Sequence, residues 1–304
     1  MTAWEGQDLS AEQAQKLEHK LLKDPNNWAT RLKLLGFYYQ RELETRTISL
    51  SRYVHVLWMI DNHATFEGPL ENYLSLNQFP ARLWNIAMEH WQKKIQEQTA
   101  CAPALFNAAL FAIERDFNLG LTLFGKLENI VEKSAQYPAV VCTRALERMR
   151  RSESSQEQRK LAQLVLEKGQ KVIDIGTHVR NCTTLSEMAE AAFELENYHH
   201  ASVFSKLALE NGIVAGKAEY ETELSNAYAI EGLLALKTRD LNVATKNFNS
   251  CPIFVPLRCK LAEDLIQLGA QKSVQKAIHK YLKHAIQPED TASWLRDLKE
   301  GLVP

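Results

Sequence analysis

Chemistry in this chain would have to come from a few scattered side chains, and the histidines come first. Glu196 stands three residues before His199, with His200 beside it, so a carboxylate and an imidazole would share adjacent turns of a helix. A di-iron bundle site needs two such Glu-x-x-His pairs and two further carboxylates. Only one pair is present, so the histidines read as a solvated helix start. Asp61-Asn62-His63 closes a helical stretch, where a cationic imidazole complements the dipole. Nucleophilic chemistry fares no better. Cys182 falls at a helix start, a place that can lower a thiol pKa, but neighbouring Asn181 and Thr183 read as helix-capping residues. No G-x-S-x-G elbow, P-loop, G-x-G-x-x-G or H-E-x-x-H run occurs. The expectation is no catalytic residue, no metal site and no cofactor.

Two basic runs raise nucleic-acid binding. Lys272, Lys276, Lys280 and His284 recur every four residues, with Lys283 beside them. Arg144, Arg148, Arg150, Arg151, Arg159 and Lys160 gather near one connection. Against both stands the balance of 36 Lys and Arg with 37 Asp and Glu, a formal net charge of -1, which supplies no field for RNA or anionic lipid. Only Tyr281 interrupts either run as a base-stacking aromatic. Solvated helix faces are the simpler reading, and RNA or an acidic partner on the C-terminal basic helix is kept as an alternative. Trp84, Ala87, Met88 and Trp91 share one helical face and read as core. Tyr38 and Tyr39 point about 100° apart, which leaves Tyr38 as a binding candidate.

The elements that must hold these residues are helices throughout. Ser10 followed by Gln13 is a capping box, opening a helix to about residue 23. Further helices are predicted near 28–40, 51–62, 81–98, 103–114, 117–134, 137–150, 155–174, 182–195, 198–211, 218–237, 241–249, 256–268, 272–285 and 291–300. The stretch 64–80, with Gly68, Pro69 and Pro80, is the longest predicted loop. Connections are expected at 151–155 and at Gly212–Gly216. None is a flexible linker, so one continuous all-α body is expected. Its segments are N-terminal helices at 1–63, the loop at 64–80, central helix pairs at 81–174, the most repetitive part at 175–252 and capping helices at 253–304. Five cysteines are odd in number, and Cys251 and Cys259, the closest pair, lie eight apart with no C-x-x-C. With no signal-peptide pattern and no apolar run of membrane-spanning length, a reducing cytoplasm is the expected location.

Self-similarity is the main signal. Windows starting at Cys101, Cys182 and Ser225 place small residues eighth (Ala108, Ala189, Gly232) and twentieth (Gly120, Ala201, Ala244). Phe117, Tyr198 and Leu241 are seventeenth. Small residues at those places let the two helices of a unit approach closely, while large neighbours fill the groove to the next unit.

On these residues the chain resembles the tetratricopeptide (TPR) repeat family. ENYHHASVFSKLALE (196–210) is similar to the second half of one repeat, and DPNNWATRLKLLGFYY (24–39) to the entry of another. Further segments, FNAALFAIERDFNLGLTLF (106–124) and SNAYAIEGLLALKTRDLNVATKNFNSCP (225–252) among them, resemble an uncharacterised group of bacterial TPR-like proteins. The resemblance implies an irregular TPR-like helical-repeat solenoid of stacked antiparallel helix pairs, and a non-catalytic scaffold or adaptor for a protein or peptide partner. It places ligand contacts on the first helix of a repeat, at Thr183, Ser186, Glu190, Phe193 and Glu194. Such an acidic, aromatic-bearing face suits a basic or amphipathic peptide. The same places in the first window are all apolar and read as buried. In the third, Asn226, Ala229, Leu233, Leu236 and Lys237 are largely apolar, leaving only Asn226 at the groove's edge. The alternative is a ligand pocket or enzyme site enclosed by the repeats, using Tyr38, Glu190 and the histidines.

Overall fold

Helix starts follow from short polar side chains that accept a backbone N–H. The structure, a computed structural model, describes residues 3–66, 71–97, 101–131, 133–175, 181–215, 219–253 and 255–282; His284 and the helix expected at 291–300 lie outside them. Ser10 forms the full capping box with Gln13 and opens α1 (Ala11–Lys23). Asn27 caps α2 (Trp28–Thr45), Ser49 caps α3 (Leu50–His63), and Asp116 and Asp240 cap α7 (Phe117–Ile130) and α13 (Leu241–Ser250). The other helices are α4 (Glu71–Leu74), α5 (Ala81–Glu97), α6 (Ala102–Ile113), α8 (Gln136–Arg151), α9 (Ser155–Ile175), α10 (Asn181–Glu194), α11 (Tyr198–Ala215), α12 (Glu221–Lys237), α14 (Pro256–Gln267) and α15 (Gln271–Leu282). No strand occurs among the described residues. Internal contacts gather into two units, residues 1–137 and 138–304.

In the first unit a short 3-10 helix, Ala3–Gly6, lies against α2. The approach is so close that a Cβ on Gly36 would stand 1.8 Å from the Ala3 carbonyl oxygen, and one on Gly6 equally close to that of Lys33. Leu34, Leu35, Val56, Met59, Ile60 and Trp91 are fully buried, and Trp84 stacks on Phe111. The Trp84–Met88–Trp91 stripe is therefore core. The stretch 64–80 is not simply a surface loop. It contains α4, and Tyr73, Leu74, Leu76 and Phe79 are buried, because four large apolar side chains in so short a span cannot be left in water.

The second unit is a TPR-like stack of antiparallel helix hairpins. α10 pairs with α11, α12 with α13 and α14 with α15. The leading helices α10 and α12 pack side by side, as do α12 and α14. Each pair is joined by three residues, and the middle one is left-handed: Glu196 at φ 59, Arg239 at φ 58 and Gly269 at φ 91. The hydrogen bonds match from turn to turn. Asn197, Asp240 and Ala270 each donate to the carbonyl five residues back (Ala192, Ala235, Leu265), and Glu196, Arg239 and Gly269 donate to the one three back. This is the Schellman ending, which satisfies the last carbonyls of the leading helix.

Glycines mark close crossings here rather than breaks. The connection expected at 212–216 is overturned at its start, since α11 runs through Gly212 to Ala215. A Cβ there would lie 2.9 Å from Leu224 Cδ2 and 3.0 Å from Cys182 Sγ, so the residue is small because α12 and α10 press on it. Gly232 meets Leu261 of the next leading helix rather than the second helix of its own hairpin.

Candidate functional site

The face of α10 expected to be an open acidic surface is largely covered. Glu223 of α12 takes two of its residues: Thr183 Oγ1 donates to the Glu223 carboxylate (3.0 Å), and Ser186 Oγ donates to its backbone carbonyl (3.3 Å). Glu190 is buried and held by both nitrogens of the Arg150 guanidinium, Nε donating to Oε1 at 2.7 Å. Asn226 is buried as well, its Oδ1 without a hydrogen-bond donor. Ser186, Glu190 and Asn226 are thus corrected from exposed to interior positions. The cause is that α12 and α8 present side chains to the stripe that the resemblance leaves open.

Phe193 and Glu194, one turn further on, do border a cleft. It encloses about 430 Å³ and is bounded by residues of α10, α12 and α14 together with Glu196 and Tyr198. Leu233 and Leu236 of α12 form its apolar wall, and Lys260, Asp264, Gln267 and Leu268 of α14 close the far side. Leu233, Leu236 and Lys237 occupy the same repeat places in α12 as Glu190, Phe193 and Glu194 in α10. The third window therefore contributes to the cleft through the residues whose apolar character argued for burial. No window reached α14, so Lys260 and Asp264 had no sequence signal.

The electrostatics of the cleft are mixed and specific. Its polar rim holds Glu194, Glu196 and Asp264 against Lys237 and Lys260. Both lysines sit over aromatic faces, Lys237 Nζ 5.4 Å from the Tyr198 ring centre and Lys260 Nζ 5.6 Å from that of Phe193. The last turns of α10, α12 and α14 all contribute residues, and helix C-termini carry partial negative charge. The cleft is therefore apolar at its wall, negative in its backbone and cationic only where its own lysines cover the rings.

The remaining candidates are placed elsewhere. Tyr38 is half-buried in the first unit, and its hydroxyl donates to Glu18 Oε1 at 2.7 Å. Burial, reinforced by that bond, pushes its pKa up to about 12. His55 Nε2 meets the same oxygen at 3.0 Å, and Arg31 Nη1 reaches His55 Nδ1 at 3.1 Å. A guanidinium only donates, so Nδ1 is the acceptor and Nε2 carries the proton given to Glu18. Tyr38 is the outer member of this structural chain.

His199 and His200 are exposed at the start of α11, with His200 stacked on Phe204. No group of three or more His, Cys, Asp or Glu that could hold a metal ion is found among the described residues. Cys182 lies in the first turn of α10 but is buried, its thiol 3.3 Å from the Ala208 carbonyl. Burial raises its pKa to about 11, the reverse of an activated thiol, and Thr183 is spent on Glu223 rather than on a helix cap. Three members of the arginine cluster are paired, Arg144 with Glu147, Arg148 with Glu157 and Arg150 with Glu190. Lys272 and Lys276 are exposed.

A group that motif reasoning passed over is Glu187, buried between α10 and α8. It accepts from Thr143 Oγ1 at 2.7 Å, and burial drives its carboxyl up to about 7. The aligned repeats gave no signal for it, because its partners Thr143 and Cys142 lie on a helix outside the three windows.

No described helix is long and apolar enough to cross a membrane. No protein-family model matches the chain, and no curated protein matches it. Among solved structures it is similar to the crystal structure of the APC/C hetero-tetramer Cut9–Hcn1, with 12% identity and a TM-score of 0.48 over 96% of this chain. The match takes in 52% of that chain, so this chain spans about half the length of the protein it is compared with.

Proposed function

We propose that the chain is a non-catalytic protein-interaction module whose second unit receives a short segment of a partner protein in the cleft between α10, α12 and α14. The observation that carries this reading is the composition of that cleft. Three successive leading helices each lend side chains from their last turn, giving an apolar wall beside acidic groups and helix C-termini. A segment with one aliphatic or aromatic anchor beside a lysine or arginine complements it: the anchor displaces water from Leu233 and Leu236, and the cation meets Glu194, Glu196 or Asp264. The interaction surface is thus basic or amphipathic on the partner's side. All five cysteines are free thiols, which suits a reducing compartment such as the cytoplasm.

A random peptide library displayed on phage and panned on the full chain tests the proposal. Selected peptides should share an apolar residue next to a basic one and lose at least about tenfold in affinity for the Leu236→Glu variant, which puts a charge in the wall. Peptides that bind the variant as well as the wild type, or a library that enriches nothing, would remove the cleft as a binding site.

A further inference from the structure

α11 carries two faces that a lone surface helix would not combine. Ala201, Ser205, Ala208 and Gly212 are all buried and mark the side packed on α10 and α12. On the opposite side Val203, Leu207 and Val214 are 39%, 40% and 87% exposed. At 100° per residue, Val203, Leu207, Glu210 and Val214 point within about 60° of one another, and Lys206 borders the stripe on the Glu210 side. Ile213, also exposed, extends the apolar surface along that border. The solvent face of α9 in the same unit shows the contrast. There Arg159, Lys160, Gln163, Glu167, Gln170, Lys171 and Asp174 are the exposed residues. A helix whose outward side is valine and leucine, where its neighbour carries charge, has a surface meant to be covered.

We infer that α11 is a self-association surface and that its occupant is α11 of a second copy, packed antiparallel about a two-fold axis. In an isologous contact each residue pair occurs twice, so the stripe must complement itself. The register that sets Val203 opposite Val214 of the second copy brings Leu207 over the middle of the stripe. Antiparallel helices bring like flanks together, so Lys206 comes beside Glu210 of the second copy, and the symmetry repeats the pair. Unlike charges therefore meet twice around an apolar seam. From Val203 to Val214 the seam runs about 16 Å at 1.5 Å per residue. That is short for a stable dimer, so the association is reversible and concentration-dependent. None of these residues borders the partner cleft, so the two surfaces operate separately.

Sedimentation equilibrium on the full chain, from about 1 to about 200 μM, decides the matter. The wild type should shift from monomer to dimer across that range, and Leu207→Glu should weaken dimerisation at least tenfold. Lys206→Glu and Glu210→Lys should each dimerise more weakly than the wild type, while their equimolar mixture associates more tightly than either alone. Wild type that stays monomeric, a dimer unchanged in Leu207→Glu, or a mixture no tighter than its components would each overturn the inference. Should Leu207→Glu lose helicity, the charge-swapped pair gives the answer by itself, because Lys206 and Glu210 are both exposed.

Discussion

Glu187→Gln isolates the one carboxyl whose environment turns protonation into stability near neutral pH. In the unfolded chain this carboxyl releases its proton near the ordinary value of 4.5; in the fold, burial holds the proton until about 7. Between those values the folded state binds more protons than the unfolded state. Raising the pH therefore removes stability, with the loss complete once the pH exceeds the folded pKa. A shift of this size corresponds to about 3 kcal/mol. The amide copies the shape of the protonated acid, can still accept from Thr143, and does not titrate. Urea unfolding of both proteins at pH 5 and pH 8 gives the comparison. The wild type should lose about 3 kcal/mol more than the variant on going to the higher pH, and the variant should be the more stable protein at pH 8. Equal pH dependences would show that Glu187 folds as an anion, and that the Arg150 guanidinium, though committed to Glu190, holds both charges.

Removing the Arg150 side chain as Arg150→Ala would strand the buried Glu190 carboxylate and should cost about 2–4 kcal/mol in the same unfolding assay. Two glycines of α7 should respond in opposite directions to alanine. At Gly120 a Cβ would stand 2.5 Å from Ile113 Cα, so Gly120→Ala should destabilise by about 2 kcal/mol or more. Gly125 has nothing within 4 Å, so Gly125→Ala should stabilise by about 0.5–1 kcal/mol. The left-handed Arg239 invites Arg239→Gly, expected to raise stability by about 0.5 kcal/mol, while Gly269→Ala at the matching turn should lower it by about 1 kcal/mol. Thermal melts check both. Thiol alkylation at pH 8 followed by mass spectrometry should modify half-buried Cys101 first, because burial pushes Cys142, Cys182, Cys251 and Cys259 upward and keeps them protonated.

The fold was legible where periodicity and capping agree, as at Ser10 and Gln13, whose side chains make both bonds of the box. Glycine was the weaker guide. Gly212 looks like a chain break in sequence, yet its role is to admit Leu224 and Cys182, and only the packed neighbours reveal that. A regularity also went unread: the sixteenth place of the three windows is Asp116, Asn197 and Asp240, each accepting from the N–H three residues on as the second helix begins. The site was legible in register but not in exposure. Repeat places say which way a side chain points. They do not say whether a longer neighbour such as Glu223 has already claimed Thr183 and Ser186. Nor does an apolar residue at such a place prove burial, since the wall of a cleft is apolar too, as Leu233 and Leu236 show.

The three matching turns bear on how a surface of this kind enlarges. Their left-handed residues are 43 and then 30 positions apart, so the length between hairpins varies while the three-residue join inside each hairpin does not. The join is specified by backbone hydrogen bonds and tolerates glutamate, arginine or glycine at its centre. A copied hairpin would therefore carry its own folding instructions, and the recognition surface would gain one wall for each copy. Internal duplication, followed by drift of residues such as those at 233, 236 and 260, is then the cheapest evolutionary route from one partner segment to a longer one.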